Sequence, residues 1–205
     1  MLRARDPFAQ GEMRLAYYRK VGADEASLAL DKADKILKMF KKKERKASAD
    51  RKHYLAQMEV STIAHFLAEE YNKSCRPDHC PQIRFLRVFV VEADAAGTER
   101  YCAEDQLPGA ATCFTKYSNN TGYWNADEIN QSLLLFTRFT HEKTGGYLMI
   151  TDLQVVRHGE EYILTDPAIL CKGSTRFGGT NLGRIFMDKC MAATEAMLEE
   201  YGWDA

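Results

Sequence analysis

The segment GGYLMITDLQVVRHGEEYILTDPAIL, Gly145 to Leu170, constrains the fold more than any other stretch of the chain. Two apolar runs of strand length flank a polar turn, so the spacing predicts an antiparallel hairpin whose side chains alternate between two faces. Each run nevertheless carries an aspartate inside it, Asp152 in the first and Asp166 in the second. With the turn centred on Gly159, Asp152 faces Asp166, Gln154 faces Leu164, and Asp152, Gln154 and Asp166 share a face. Two carboxylates that close repel unless a cation or a shared proton compensates. A carboxamide oxygen beside them completes a hard-ligand set that suits Mg²⁺ and phosphate-bearing substrates, not zinc. Alternatively, the aspartates lie at strand ends, solvated or capping a turn, and spacing alone leaves both readings open.

The flanks of the hairpin read as helices. NADEINQSLLLFTRFTHEKTGG offers Asn125 or Asp127 as an N-cap, runs through Ile129, Leu133, Phe136 and Thr140, and stops at Gly145. A closing helix is predicted from about Arg184 to Tyr201, with Met187, Cys190/Met191, Thr194 and Met197/Leu198 inward. Between hairpin and closing helix lies GSTRFGGTNLG, where Gly178, Gly179 and Gly183 either expose backbone N–H groups to an anion or simply cap the helix. It is not a Walker A loop, because Arg184 and Ile185 stand where Lys and Ser/Thr are required.

Upstream, GEMRLAYYRK and ADKILKMFKK read as two strands separated by the small-residue stretch VGADEASLAL. An amphipathic helix is predicted from Ala47 to Asn72, with Leu55, Met58, Thr62/Ile63, Phe66 and Tyr71 inward. IRFLRVFVVEA reads as one strand, and Cys102 to Gly122 as irregular chain with LPG and SNNTG turns, where a junction between lobes is expected. Lys38 sits among apolar residues of a strand, where an ammonium either snorkels at a sheet edge or meets an anion such as a nucleotide phosphate.

With Lys+Arg 28 against Asp+Glu 29 the net charge is -1, so no global field steers the chain to nucleic acid or to an anionic membrane. The run KKKERK at Lys41 to Lys46 reads as a solvated turn. No stretch of about 18 apolar residues is present and the opening MLRARDPFAQ lacks a signal-peptide core, so a cytoplasmic protein is expected. Six cysteines without a CxxC pair fit reduced thiols, and the Cys75, His79, Cys80 cluster has too few ligands for zinc.

Taken in order, DPFAQGEMRLAYY, ILKMF, AEEYN, TKYSNNTG, FTHEKTGG, TDLQ, LTDPAI and FGGTNLG resemble the alpha-kinase family, the atypical Ser/Thr protein kinases, across nearly the whole chain. The resemblance implies an α+β, two-lobed kinase fold with the ATP site in the interlobe cleft, an N-terminal lobe of about residues 1–104 and a C-terminal lobe of about 105–205. It implies ATP and Mg²⁺ as cofactors, and phosphoryl transfer to a Ser or Thr of a protein substrate or of the chain itself. By position, Lys38 resembles the strand lysine on the nucleotide phosphates, Arg14 the arginine of the phosphate-side loop and Glu104 the adenine-side hinge glutamate. Lys116 matches an active-site lysine, Asp152 the catalytic aspartate, and Gln154 and Asp166 the Mg²⁺ ligands. Gly178, Gly179 and Gly183 match a glycine-rich motif associated with peptide substrate, not with ATP phosphates.

Two departures stand out. Val155 replaces the glycine of the more usual DLQG. The family's structural zinc is held by two His and two Cys, yet those positions fall on Arg138, Thr194, Ala196 and Glu200, and no His follows His158. A tetrahedral structural site needs thiolate or imidazole ligands, so a zinc-free lobe is predicted in which Met187, Met191, Met197 and Leu198 pack instead. The alternative to an active kinase is an ATP-binding scaffold with weak or no turnover.

Overall fold

The computed structural model describes residues 2–20, 35–41, 51–93, 99–107, 115–173 and 176–203. The VGADEASLAL stretch, the lysine run beyond Lys41 and most of the LPG turn lie outside them. Along the chain run β1 (Leu2–Arg3), β2 (Ala9–Gln10), β3 (Arg14–Lys20), β4 (Lys35–Phe40), α1 (Arg51–Ser74), β5 (Gln82–Phe85), β6 (Phe89–Glu92), β7 (Arg100–Asp105) and β8 (Thr115–Lys116). There follow α2 (Gln131–Lys143), β9 (Leu148–Thr151), β10 (Gln154–His158), β11 (Glu161–Thr165), β12 (Ala168–Cys171) and α3 (Arg184–Glu200). Two compact units result, one of Met1–Met58 with Arg87–Gln106 and one of Glu59–Leu86 with Leu107–Ala205.

The first unit is an antiparallel sheet ordered β1-β3-β4-β7-β6, with β2 also on β3. Alternation sorts its side chains: Tyr17, Leu37, Met39, Tyr101 and Ala103 form an apolar cluster on one face. The opposite face carries Phe40 and Cys102, which pack with Tyr54 from the first turns of α1 and with Val88. Phe40 and Tyr54 meet edge to face at 4.9 Å.

The second unit holds a sheet ordered β5-β11-β10-β8 and the separate pair β12-β9. Its core joins Val60, Ala64, Leu67 and Tyr71 of α1 to Phe85, Phe136, Leu164 and Leu198. The inward stripe of α1 follows the predicted one only in part: Tyr71 is buried and Ile63 packs against the core, but Phe66 is 55% exposed, whereas Ser61, Ala64 and Ala68 are buried. Small residues let the helix backbone approach its neighbours, and a pattern weighted toward large apolar side chains misplaces Phe66.

IRFLRVFVVEA is not one strand. It breaks after Phe85, so that β5 pairs in parallel with β11 while β6 pairs with β7 in the other unit. Asn125 caps a short 3-10 turn at Ala126–Glu128, and α2 starts later, with the Asn130 side chain accepting from the Leu133 N–H. The closing helix matches its predicted stripe, with Met187, Cys190, Thr194 and Leu198 buried. Among the described residues no helix is long and apolar enough to cross a membrane.

Candidate active site

Gln154 pairs with Thr165 and Val155 with Leu164, one residue away from the predicted register, because Gly159 and Glu160 form a two-residue turn with Gly159 at φ 60°. Beyond the break, Thr151 pairs with Ala168. Both arms of the hairpin are thus interrupted at matching places, by Asp152 and Leu153 in one and by Asp166 and Pro167 in the other. Asp152 and Asp166 are left-handed, at φ 60° and φ 52°, a conformation Asp tolerates better than most L residues. The aspartates therefore stand at strand breaks, not inside the ladder, and they do not form the directly facing pair expected from a turn centred on Gly159.

The break is itself well packed. Leu153 is fully buried; its N–H donates to Ser118 Oγ at 3.2 Å and its carbonyl accepts from the Tyr117 N–H at 2.9 Å. Backbone groups released from the ladder are satisfied there, which fixes the corner carrying Asp152. Lys116, paired with Gln154 across β8 and β10, places its ammonium 2.6 Å from Asp152 Oδ1. Gln154 opens β10 and Asp166 follows directly on Thr165, its cross-strand partner. One end of this sheet thus gathers two carboxylates, a carboxamide and an ammonium. No group of three or more His, Cys, Asp or Glu suited to a metal occurs among the described residues; a carboxylate with a carboxamide still fits Mg²⁺, which takes few protein oxygens and fills its octahedron with water and phosphate.

In the first unit Lys38 lies on β4, between β3 and β7, and does not snorkel. Its ammonium is ion-paired with Glu104, and both side chains are nearly fully buried. Glu104 belongs to β7, not to irregular chain, and shares a sheet face with Lys38 because Lys38 pairs with Cys102 two residues earlier. Arg14, at the start of β3 opposite Phe40, lies on that same face and is half-buried. Lys38, Glu104 and Arg14 are therefore brought onto one surface by three adjacent strands.

The glycine loop has a centre that sequence reasoning missed. Asn181 is 7% exposed; its Oδ1 accepts from the N–H groups of Cys171 and Gly183, both at 3.0 Å. Its Nδ2 donates to the carbonyls of Gly173 at 2.8 Å and Arg176 at 2.9 Å. The Gly183 N–H at the head of α3 is thereby engaged and not directed at an anion. Gly178 and Gly183 need their glycine, with φ 77° and 78°, whereas Gly179 is exposed with open space where a Cβ would stand. An amide among glycines was the available signal. Asn181→Ala is expected to destabilise the protein by about 2 kcal/mol by stranding buried backbone groups, measurable as a lowered midpoint in urea unfolding; an unchanged midpoint contradicts this role.

The aligned zinc positions do not fit the metal. Arg138 on α2 is 3.8 Å from Glu142. Thr194 is fully buried, accepting from the Trp124 indole N–H at 3.2 Å and donating to the Cys190 carbonyl at 2.9 Å, while Ala196 and Glu200 are exposed. Met187 and Cys190 pack with Met149 and Leu170, and Met191 only partly joins them. Burial pushes the Cys190 thiol up to about 11, so it stays protonated and offers no thiolate at neutral pH.

Comparison with known proteins places this arrangement in context. The chain is 32% identical over 185 residues to myosin heavy chain kinase B of Dictyostelium discoideum, covering 89% of this chain and 22% of that protein. It is 29% identical over 184 residues to alpha-protein kinase vwkA of the same organism, covering 88% of this chain and 27% of that protein. Over 135 residues it is 31% identical to eukaryotic elongation factor 2 kinase of Rattus norvegicus, covering 65% of this chain and 17% of the other. The chain thus spans about a quarter or less of the length of these curated relatives. Among solved structures, an alpha kinase from Entamoeba histolytica superposes with a TM-score of 0.76 at 24% identity, covering 95% of this chain and 76% of the other. The alpha-kinase domain of myosin-II heavy chain kinase A superposes with a TM-score of 0.71 at 23% identity, covering 96% and 85%. These likenesses establish a mixed α+β fold of the alpha-kinase catalytic type. Residues 9–194 match the sequence profile of the Alpha-kinase family, and the chain belongs to that family.

Proposed function

We propose that the chain is an ATP- and Mg²⁺-dependent protein kinase that transfers the γ-phosphoryl group to a Ser or Thr of a cytoplasmic protein substrate, and to itself. The observation that carries this reading is the corner of the hairpin, where Asp152, with the Lys116 ammonium at 2.6 Å, stands at the strand break next to Gln154 and across from the break that holds Asp166. Nucleotide binding is supported by relatives of the same fold solved with AMP-PNP and with ADP.

In this reading Asp152 orients the acceptor hydroxyl and takes its proton. Lys116 holds that carboxylate in place through their ion pair. Gln154 and Asp166 hold Mg²⁺, which when bound neutralises charge on the transferred phosphoryl group. Lys38 contacts the phosphates, its ammonium held in position by Glu104, and Arg14 adds a second cation on the same sheet face. With the Glu104 carboxylate engaged by Lys38, contact with adenine falls to the backbone of this strand. Gly178, Gly179 and Gly183 belong to the loop that receives the peptide.

The test is transfer of radiolabel from ATP to the chain itself and to a basic protein substrate, with and without Mg²⁺. Label that depends on Mg²⁺ supports the proposal. Thermal stabilisation by Mg·ATP without transfer makes the chain a nucleotide-binding scaffold instead.

We also propose that the second unit folds without the family's zinc, braced by the Trp124 to Thr194 hydrogen bond and by Met187 and Leu198. Purified protein is expected to hold well under one zinc per chain by elemental analysis, and chelator is expected to leave its melting temperature unchanged. One tightly held zinc per chain, with a melting temperature lowered by chelator, contradicts this.

A further inference from the structure

We propose that Arg176 and Glu59 form a latch that sets the pose of the glycine loop, and through it the hold on the acceptor peptide; this rests on the reading of that loop as the peptide-binding segment. The loop leaves β12 and returns to the head of α3, with Asn181 fixing it from inside. Arg176 fixes it from outside. Its Nη2 and Nε donate to Glu59 Oε1 of α1 at 2.7 and 3.2 Å, and its Nη1 donates to the Tyr147 hydroxyl at 3.3 Å.

One face of the guanidinium lies over the Phe177 ring, 4.6 Å from its centroid. A half-exposed arginine is thus held by a carboxylate, a hydroxyl and a ring, which is more than a solvated surface ion pair requires. Phe177 is 2% exposed and left-handed, at φ 69°. An aromatic residue in that conformation is strained, and such strain persists only where the surroundings over-determine it. Burial of the ring beneath and the guanidinium above supply that determination, directly before Gly178. The hydrogen bonds that Arg176 donates to Glu59, then to Tyr147, raise its pKa above its ordinary value, so the guanidinium stays charged at any working pH. Arg176 and Glu59 are positioning residues; neither is assigned contact with the reacting atoms.

The experiment uses myelin basic protein as the acceptor and measures Arg176→Ala, Glu59→Ala and the charge-reversed double variant Glu59→Arg with Arg176→Glu. Each alanine variant is expected to raise KM for the acceptor about fivefold, the scale of one well-formed exposed ion pair. Both kcat and KM for ATP are expected to stay within about twofold, and the reversed pair to recover most of the loss. A loss spread equally over kcat and both KM values, or no change in KM for the acceptor, overturns the proposal. Amide hydrogen exchange over residues 176–183 gives a readout independent of turnover: protection falls in each single variant and returns in the reversed pair. If the wild type transfers no phosphate, the kinase reading fails while exchange still tests the latch, and unchanged protection in the single variants overturns the latch alone.

Discussion

Replacing Asp152 by Asn is expected to lower phosphoryl transfer by about a thousandfold, the range lost when a positioned proton acceptor is removed, while Mg·ATP still stabilises the protein. Asn is the informative substitution because it tolerates the left-handed backbone found at φ 60°. Alanine there adds about 1–2 kcal/mol of backbone strain, so Asp152→Ala is expected to lose activity and also to melt earlier. The pair separates chemistry from folding. Transfer by Asp152→Asn at a rate near wild type would remove Asp152 from the reaction and leave it as a corner residue alone.

The second large effect is expected at the buried ion pair of the first unit. Glu104→Ala strips the Lys38 ammonium of its carboxylate in a site where both side chains are almost wholly shielded from water. Breaking such a pair from one side costs about 3 kcal/mol or more, since the remaining charge has already given up its hydration. For a chain of 205 residues that corresponds to a melting temperature lower by roughly 10 °C. Glu104→Gln, which keeps an acceptor oxygen, is expected to fall between Ala and wild type, and Lys38→Met with Glu104→Ala to regain much of the stability without regaining activity. Differential scanning calorimetry on the set decides it: a single Glu104→Ala variant as stable as wild type would mean that solvent reaches the pair and screens it.

The sequence made some parts of this legible and hid others for physical reasons. The stripe of α3 was readable because Met187, Cys190, Thr194 and Leu198 recur at helical spacing and are all buried. The split of β5 from β6 was hidden, because Leu86 and Val88 at the break are apolar and buried like strand residues, and the break is dictated by parallel pairing with β11, far along the chain. At the hairpin, aspartates inside apolar runs announced an exceptional site. Their register could not be fixed, since a turn centred on Gly159 and a two-residue turn at Gly159 and Glu160 fit the same residues. Lys38 was conspicuous for a similar reason, but its partner Glu104 lay in a segment whose turn-rich surroundings masked a strand. Asn181 left the faintest trace: one amide among glycines, which acquires meaning only when the loop closes around it.

Helix α1 belongs to one unit up to Met58 and to the other from Glu59 onward, and the strand segment after it returns the chain to the first unit at Arg87. Dissection of this protein by truncation therefore has no clean cut. A fragment starting at Leu107 would lack β5, the parallel edge of its own sheet, together with Tyr71 and Phe85, whose rings lie 5.6 and 5.7 Å from that of Phe136. Such a fragment is a domain with its core opened, prone to aggregate, and separating the two units would call for rewiring the connectivity, not for shortening the chain.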